Sequence, residues 1–151
     1  MPGATVLSLI VFLALTAAAA ATGIQFRPGE WYETLVKPGW TPPNWLFPPV
    51  WTVLYIMIAV AGWRVWLAQG LGRATIIWAI ALVLNAVWSY IMFGQHQIAL
   101  AAIDIVALWL AIVAFIVVAS GVDKLAMALF VPYLIWVTYA AALNIAIWRL
   151  N

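Results

Sequence analysis

The stretch IALAAIDIVALWLAIVAFIVVAS, residues 98–120, decides the fold of this chain. It is a long apolar run in which Asp104 is the single charged residue. A helix needs about 20 apolar residues to cross a hydrocarbon core that is roughly 30 Å thick. The stretch therefore predicts a transmembrane helix. Four more apolar runs of similar length predict further spans at residues 4–24, 46–67, 74–93 and 125–148. A β-barrel would need alternating strands of about 10 residues, and these runs do not alternate. The chain is predicted to be an all-α integral membrane bundle of five transmembrane helices.

The composition also indicates that lipid is the main solvent. The chain has 151 residues, of which 69% are hydrophobic and 7% are charged, whereas soluble domains average about 45–50% apolar and about 25% charged residues. The six basic residues are scattered singly and the net charge is +2, which excludes a phosphate-tracking nucleic-acid surface. With no Cys, one His and four carboxylates, we expect no metal site and no bound cofactor. No Lys or Arg precedes the first run, so we expect a retained helix rather than a signal peptide.

The first loop, residues 25–45, differs from the other joins between the runs, which are only a few residues long. Long loops without structure are usually functional or disordered, and a high aromatic content argues against disorder. Pro28 precedes a segment that could form a short helix. We therefore expect an ordered cap over one end of the bundle. Its charged and aromatic residues are Phe26, Arg27, Glu30, Trp31, Tyr32, Glu33, Lys37, Trp40 and Trp45.

Tryptophan is unusually frequent, at 11 residues. An aromatic belt at the membrane interface explains Trp63, Trp66 and Trp148, which lie near the ends of predicted helices. It does not explain Trp88, Trp109 or Trp136. Of these, Trp88 and Trp136 share helix faces with polar groups.

Two polar faces within the predicted spans are candidate binding surfaces. Asn85 and Trp88 are three residues apart and share one face of the third helix. An amide in hydrocarbon is costly unless it is paired, so Asn85 either joins helices by a hydrogen bond or faces a ligand. In the fifth helix, Trp136, Ala140 and Asn144 form one face. A small residue between two larger ones makes a concavity of the kind that lines a pocket.

Three other features are noted, and two of them leave alternatives open. Trp51 and Tyr55, four residues apart, are either a pair of interface aromatics or part of a pocket. Asp104 is either an intramembrane functional group or a carboxylate that reaches the interface or a basic partner. His96, in a short polar turn, is expected to be solvated. No combination of residues with catalytic spacing is present, so we do not expect an enzyme.

A longer string of residues, in order along the chain, carries a resemblance to a known family. The string is Trp31-Tyr32, Lys37-Pro38-Gly39-Trp40-Thr41-Pro42-Pro43-Asn44-Trp45, Pro49-Val50-Trp51-Thr52, Tyr55, Leu84-Asn85, Trp88, Phe93-Gly94, Asp104, Pro132-Tyr133-Leu134-Ile135-Trp136, Leu143-Asn144 and Trp148-Arg149. It resembles the TspO/MBR family of tryptophan-rich sensory proteins and mitochondrial translocator proteins. The resemblance covers nearly the whole chain, 1–151, as one domain, and it points to a bacterial member in a bacterial membrane.

The resemblance implies a receptor or transport protein that binds porphyrins, such as protoporphyrin IX and haem, in a pocket closed by the first loop. It also implies binding of isoquinoline carboxamide and benzodiazepine-type ligands and assembly into homodimers. Some members bind cholesterol, but Ile145 stands where their sterol motif has Tyr, so only weak sterol binding is expected. The alternatives are a light-dependent porphyrin-degrading enzyme that uses Trp51 and Trp136, or a regulatory protein that senses tetrapyrroles. The expected ligand-binding residues, with Tyr55 added from its own pattern, are Tyr32, Trp51, Tyr55, Asn85, Trp88, Trp136, Ala140 and Leu143.

Overall fold

The computed structural model describes residues 2–151, and these residues form helices and connecting turns without any strand. Five helical spans are long and apolar enough to cross a membrane, which confirms the predicted five-helix membrane bundle. The spans are Thr5–Gln25, Asn44–Gln69, Arg73–Gly94, Ile98–Ala119 and Lys124–Leu150.

The individual helices are numbered in chain order. They are α1 (Pro2–Gln25), α2 (Glu30–Thr34), α3 (Phe47–Gln69), α4 (Arg73–Ser89), α5 (Ile98–Ala119), α6 (Lys124–Leu129) and α7 (Val131–Leu150). A 3₁₀ turn, Asn44–Leu46, leads into α3, and a π-helical turn, Tyr90–Gly94, follows α4. The predicted 25–45 loop is therefore shorter at both ends, because α1 includes Gln25 and the 3₁₀ turn extends the second span.

The fifth span, predicted at residues 125–148 with a kink at Pro132 near its start, consists of two helices. It breaks at Phe130, between α6 and α7. Pro132 has no backbone N–H, and its ring clashes with the carbonyl of the residue four positions earlier in a continuous helix. The Phe130 N–H instead bonds to the Met127 carbonyl at 3.2 Å, a tighter turn that ends α6.

The helices form a ring that is incompletely closed. α3 packs on α1, α1 on α4, α4 on α5, and α5 on α7. α6 packs against α3, whereas α7 makes few direct contacts with α3. The break at Phe130 thus lets the last span touch α3 at one end of the bundle and diverge from it at the other, which leaves space inside the ring.

A tight contact between a tryptophan ring and a glycine joins α3 to α4. The Trp78 indole lies against Gly62, where an added Cβ would stand 2.4 Å from Trp78 Cε2. The same indole donates its N–H to the Ile58 carbonyl at 2.8 Å. Only glycine leaves room for the ring at this crossing.

One ion pair, Arg64–Asp123, is found within residues 2–151, at the end of the bundle away from the first loop. Arg64 donates two hydrogen bonds of 2.9 Å to the two carboxylate oxygens of Asp123. Asp123 also caps α6 by accepting from the Ala126 N–H at 2.8 Å. The guanidinium of Arg64 holds the pKa of Asp123 below its usual range.

Candidate ligand-binding site

The first loop covers the end of the bundle where α3 begins and α7 ends, as the sequence predicted for an ordered cap. The C-terminal Asn151 fastens it, because its side chain accepts from the Val36 N–H at 3.1 Å and donates to the Val36 carbonyl at 2.9 Å. The Tyr139 hydroxyl of α7 donates to the carbonyl of Trp40. The cap is thus tied to the last helix at two places.

The other edge of the cap rests on the turn after α4. Trp31 stacks on His96 with ring centroids 4.1 Å apart and an interplanar angle of 4°. His96 has an exposed side chain, as expected, and it also supports the cap. The neighbouring Tyr32 points inward, is 3% exposed, and packs edge-on against Phe93.

Burial strengthens the preference of the Tyr32 hydroxyl for its neutral form. Removal from water raises the pKa of its hydroxyl to about 12, with a smaller contribution from the charge of Glu33. The hydroxyl therefore stays neutral at physiological pH and can both donate and accept a hydrogen bond. The ammonium of Lys37 lies 4.7 Å from the ring centroid of Tyr32 and donates to its backbone carbonyl at 2.7 Å, which holds the residue in place.

Beneath the cap lies a cavity of about 600 Å³ between α1, α3, α4, α5 and α7. This volume falls in the range of about 300–1,000 Å³ that is usual for small-molecule sites. All eight residues predicted from the sequence line it, namely Tyr32, Trp51, Tyr55, Asn85, Trp88, Trp136, Ala140 and Leu143. The structure thus brings the predicted residues together, and ligand binding by them stays a prediction.

Aromatic rings form the wall where α3 and α7 diverge. Trp51 and Trp136 meet with centroids 6.5 Å apart and nearly perpendicular planes, at 88°. Trp51 stacks on Tyr55 at 5.4 Å, and Phe47 packs edge-on against Trp136 at 5.9 Å. On the facing side, Trp88 packs edge-on against Phe93 at 5.5 Å. Flat apolar molecules would find ring faces and edges on both sides of the cavity.

The buried amides mainly hold the helices together. The Tyr55 hydroxyl donates to Asn85 Oδ1 at 2.8 Å, and Asn85 Nδ2 donates to the Tyr133 hydroxyl at 2.6 Å. The Trp88 indole donates to Asn144 Oδ1 at 2.9 Å. Of the two readings of Asn85, the structure supports the interhelical hydrogen bond, although the residue also lines the cavity.

Trp136 differs from Trp88 in this respect. Its indole Nε1 is buried and has no hydrogen-bond partner within residues 2–151. Buried donors are nearly always paired, and an unpaired one costs about 1–3 kcal/mol. Trp136 also lines the cavity, so a lining residue carries an N–H that has no acceptor in the described part of the protein.

Ala140 and Leu143 complete the α7 wall. Ala140 is 9% exposed, lies one turn from Trp136 and lines the cavity, on the face where the spacing predicted a concavity. Ala142, on another face of α7, is exposed and does not line the cavity.

Asp104 is not part of this lining. Its side chain is 8% exposed, and its Oδ2 atom has no hydrogen-bond partner among the described residues. A basic partner, one of the alternatives left open for Asp104, is not found within residues 2–151. Its neighbours on α5, Ile105 and Leu108, do line the cavity.

Several lining residues were missed by the sequence patterns. Met92 and Phe93 reach the cavity from the π-helical turn, whose widened geometry no spacing rule anticipates. Asn144 was noted on the face of Trp136 but not assigned to the site. Arg27, in the cap, also lines the cavity, and its charge next to an aromatic run was the signal that could have identified it.

Five membrane-spanning helices around a capped aromatic cavity define a multi-pass membrane protein with an internal cavity of the size that is usual for small-molecule sites. The chain belongs to the TspO/MBR family, whose sequence profile matches residues 4–149.

Named relatives agree with this assignment. The chain is 45% identical over 148 residues to "Protein CrtK" of Rhodobacter capsulatus, covering 93% of this chain and 91% of that one. It is 41% identical to the "Tryptophan-rich sensory protein" of Cereibacter sphaeroides, over 94% of this chain and 90% of the relative. It is 35% identical to the "Translocator protein" of Homo sapiens, over 85% and 81% of the two chains. The bacterial relatives support a bacterial membrane as its location.

Proposed function

We propose that this protein is a membrane receptor or transport protein that binds porphyrins, such as protoporphyrin IX and haem, in the cavity beneath the cap. Isoquinoline carboxamide and benzodiazepine-type ligands would bind in the same place. Relatives named as sensory and translocator proteins support a sensory or transport role in a membrane. Homodimer formation and weak sterol binding stay predictions from the family.

The observation that carries the proposal is the capped cavity of about 600 Å³, which is lined by the rings of Trp51, Trp88 and Trp136. The indole N–H of Trp136 is also buried and has no acceptor among the described residues. A flat macrocycle would fill the space between the ring walls, and its apolar surface would leave lipid or water. One polar group of the ligand would accept from Trp136 Nε1. Specific sites commonly combine such a large apolar contact with a few polar groups that fix orientation.

A steric variant tests the location. Ala140→Thr adds bulk to the α7 wall, whereas Ala142→Thr adds the same atoms to an exposed face of the same helix. Titration of the purified proteins with protoporphyrin IX, followed by its absorption band, should show weaker binding for Ala140→Thr alone. Equal affinity in both variants, at the wild-type value, would remove the site from this cavity.

A second candidate function is light-dependent breakdown of porphyrin. The specific observation in its favour is the contact of Trp51 with Trp136, centroids 6.5 Å apart, because two oxidisable indoles would lie side by side along one face of a bound ligand. The ligand would supply the photochemistry and the protein would position it. Loss of the porphyrin absorption band under illumination in air, for wild type but not for a Trp51→Phe, Trp136→Phe double variant that still binds, would favour this function.

A further inference from the structure

Arg27 stands at the mouth of the aromatic cavity, just beyond the end of α1 at Gln25. Among the described residues that line the cavity, it is the only one with a formal charge. The remaining lining is dominated by aromatic and aliphatic side chains. A single cation at the edge of such a lining marks where a charged part of a ligand would lie.

The guanidinium has no acidic partner in the described part of the chain. The ion pair found there joins Arg64 to Asp123 at the other end of the bundle, so no carboxylate lies within 4.0 Å of Arg27. A guanidinium offers five N–H donors in a planar fork that matches a carboxylate. Arg27 is exposed and lines the cavity, so its donors are available to an anionic group at the opening.

The cavity is open on the flank beside Arg27. Ile24, in the last turn of α1, is 70% exposed, and Trp45, in the 3₁₀ turn before α3, is 71% exposed, yet both line the cavity. These two residues are apolar, exposed and close to Arg27 in the lining. They therefore indicate an opening of the cavity near the membrane–water interface. A ligand with one apolar and one charged end would lie across that boundary.

We propose that Arg27 binds the anionic group of the ligand, and that the site selects flat amphipathic molecules with a carboxylate at one edge. The apolar body would lie among the aromatic rings, with Trp136 Nε1 as a second, deeper contact. The carboxylate would lie at the flank and accept paired hydrogen bonds from the guanidinium. This inference rests on the proposed function, since it assigns the charged end of the ligand bound in that cavity.

Arg149 provides a matched control. It lies in the last turn of α7, at the capped end of the bundle like Arg27, and it is also exposed. It does not line the aromatic cavity but a separate depression with His96 and Trp148. Removal of either arginine changes the net charge of this end by the same amount, so only a local contact distinguishes them.

The test uses the full-length protein in lipid nanodiscs and two porphyrins that differ only at their carboxylates: mesoporphyrin IX and its dimethyl ester. We expect Arg27→Gln to weaken binding of the free acid by about tenfold, the value of a charge-assisted hydrogen bond. Binding of the dimethyl ester should change by less than about twofold, within the scatter of a surface substitution. Arg149→Gln should change neither. Added salt should weaken binding of the free acid in wild type more than in Arg27→Gln.

Three results would overturn this inference alone, and a fourth would refute the proposed function. An equal loss for both porphyrins in Arg27→Gln would mean that the residue supports the cap rather than the carboxylate. An equal loss of free-acid binding in Arg27→Gln and Arg149→Gln would mean that only the overall surface potential matters. If wild type binds the dimethyl ester tightly and Arg27→Gln binds the free acid as well as wild type does, this inference is refuted alone. If wild type binds neither porphyrin, the proposed function itself is refuted.

Discussion

Trp136→Phe separates ligand binding from folding. The indole N–H of Trp136 is buried without a partner, so its removal relieves an unsatisfied donor worth about 1–3 kcal/mol in the ligand-free protein. Phenylalanine is smaller, and the space it leaves costs a comparable amount in a packed interior. These two effects oppose each other, and we expect little net change in the free energy of unfolding. In the complex, the lost hydrogen bond of about 1 kcal/mol should weaken protoporphyrin binding roughly fivefold.

Trp88→Phe is the internal comparison. Both rings line the cavity, but the Trp88 indole already donates to Asn144 Oδ1 at 2.9 Å. Its replacement leaves a buried acceptor without that donor, which should destabilise the protein by about 1–3 kcal/mol. Thermal unfolding in one detergent gives the stability of each variant, and absorption titration gives the affinity without relying on tryptophan emission. The reasoning would be refuted by a Trp136→Phe protein that melts as low as Trp88→Phe and binds protoporphyrin like wild type.

Three further changes test other parts of the structure. Gly62→Ala places a Cβ 2.4 Å from the Trp78 ring and should cost about 1–3 kcal/mol; an unchanged melting temperature would contradict the close α3–α4 contact. Asn85→Leu breaks the hydrogen bonds to two tyrosine hydroxyls and should destabilise by about 1–3 kcal/mol per group left unpaired, measured by thermal unfolding; wild-type stability would show that the amide is dispensable. Asp123→Asn keeps a residue that caps a helix but loses the ion pair, and should cost about 0.5–1 kcal/mol at pH 7 for this partly exposed pair. The pKa of Asp123 is lowered by Arg64, so the stabilisation is present above the unfolded pKa of about 3.9 and disappears as pH falls through the lower folded value. Below the folded-state pKa of Asp123, wild type and Asp123→Asn should be equally stable. A difference in their stability that persists there would contradict an origin in the ion pair.

The spans could be predicted from the sequence because hydrocarbon thickness sets their length and few charges interrupt them. The residues at the site could be grouped because helical spacing puts Trp136 and Ala140 on one face, and the family resemblance supplied Trp51 and Tyr32. Spacing alone does not say which side of a spanning helix faces lipid, because both sides are apolar. The resemblance was therefore needed to connect faces on different helices.

What the sequence could not give depends on contacts between distant segments. Asn85 reads as either a structural or a ligand-facing amide until Tyr55 and Tyr133 are seen on either side of it. The hydrogen bonds between the Asn151 side chain and the Val36 backbone join residues far apart in the chain. The sequence does not distinguish Arg27 from the other charged residues of the first loop, whereas the structure places it in the lining of the cavity.

The most direct test of the central claim is an NMR titration of protein labelled at the tryptophan indole nitrogens. A porphyrin bound beneath the cap should shift the indole signals of Trp51, Trp88 and Trp136 by its ring current, with saturation at one ligand per chain. Trp66 and Trp148, which are 39% and 50% exposed and lie outside the cavity, should keep their positions. Shifts confined to these two exposed residues, or shifts that never saturate, would contradict a binding site inside the bundle.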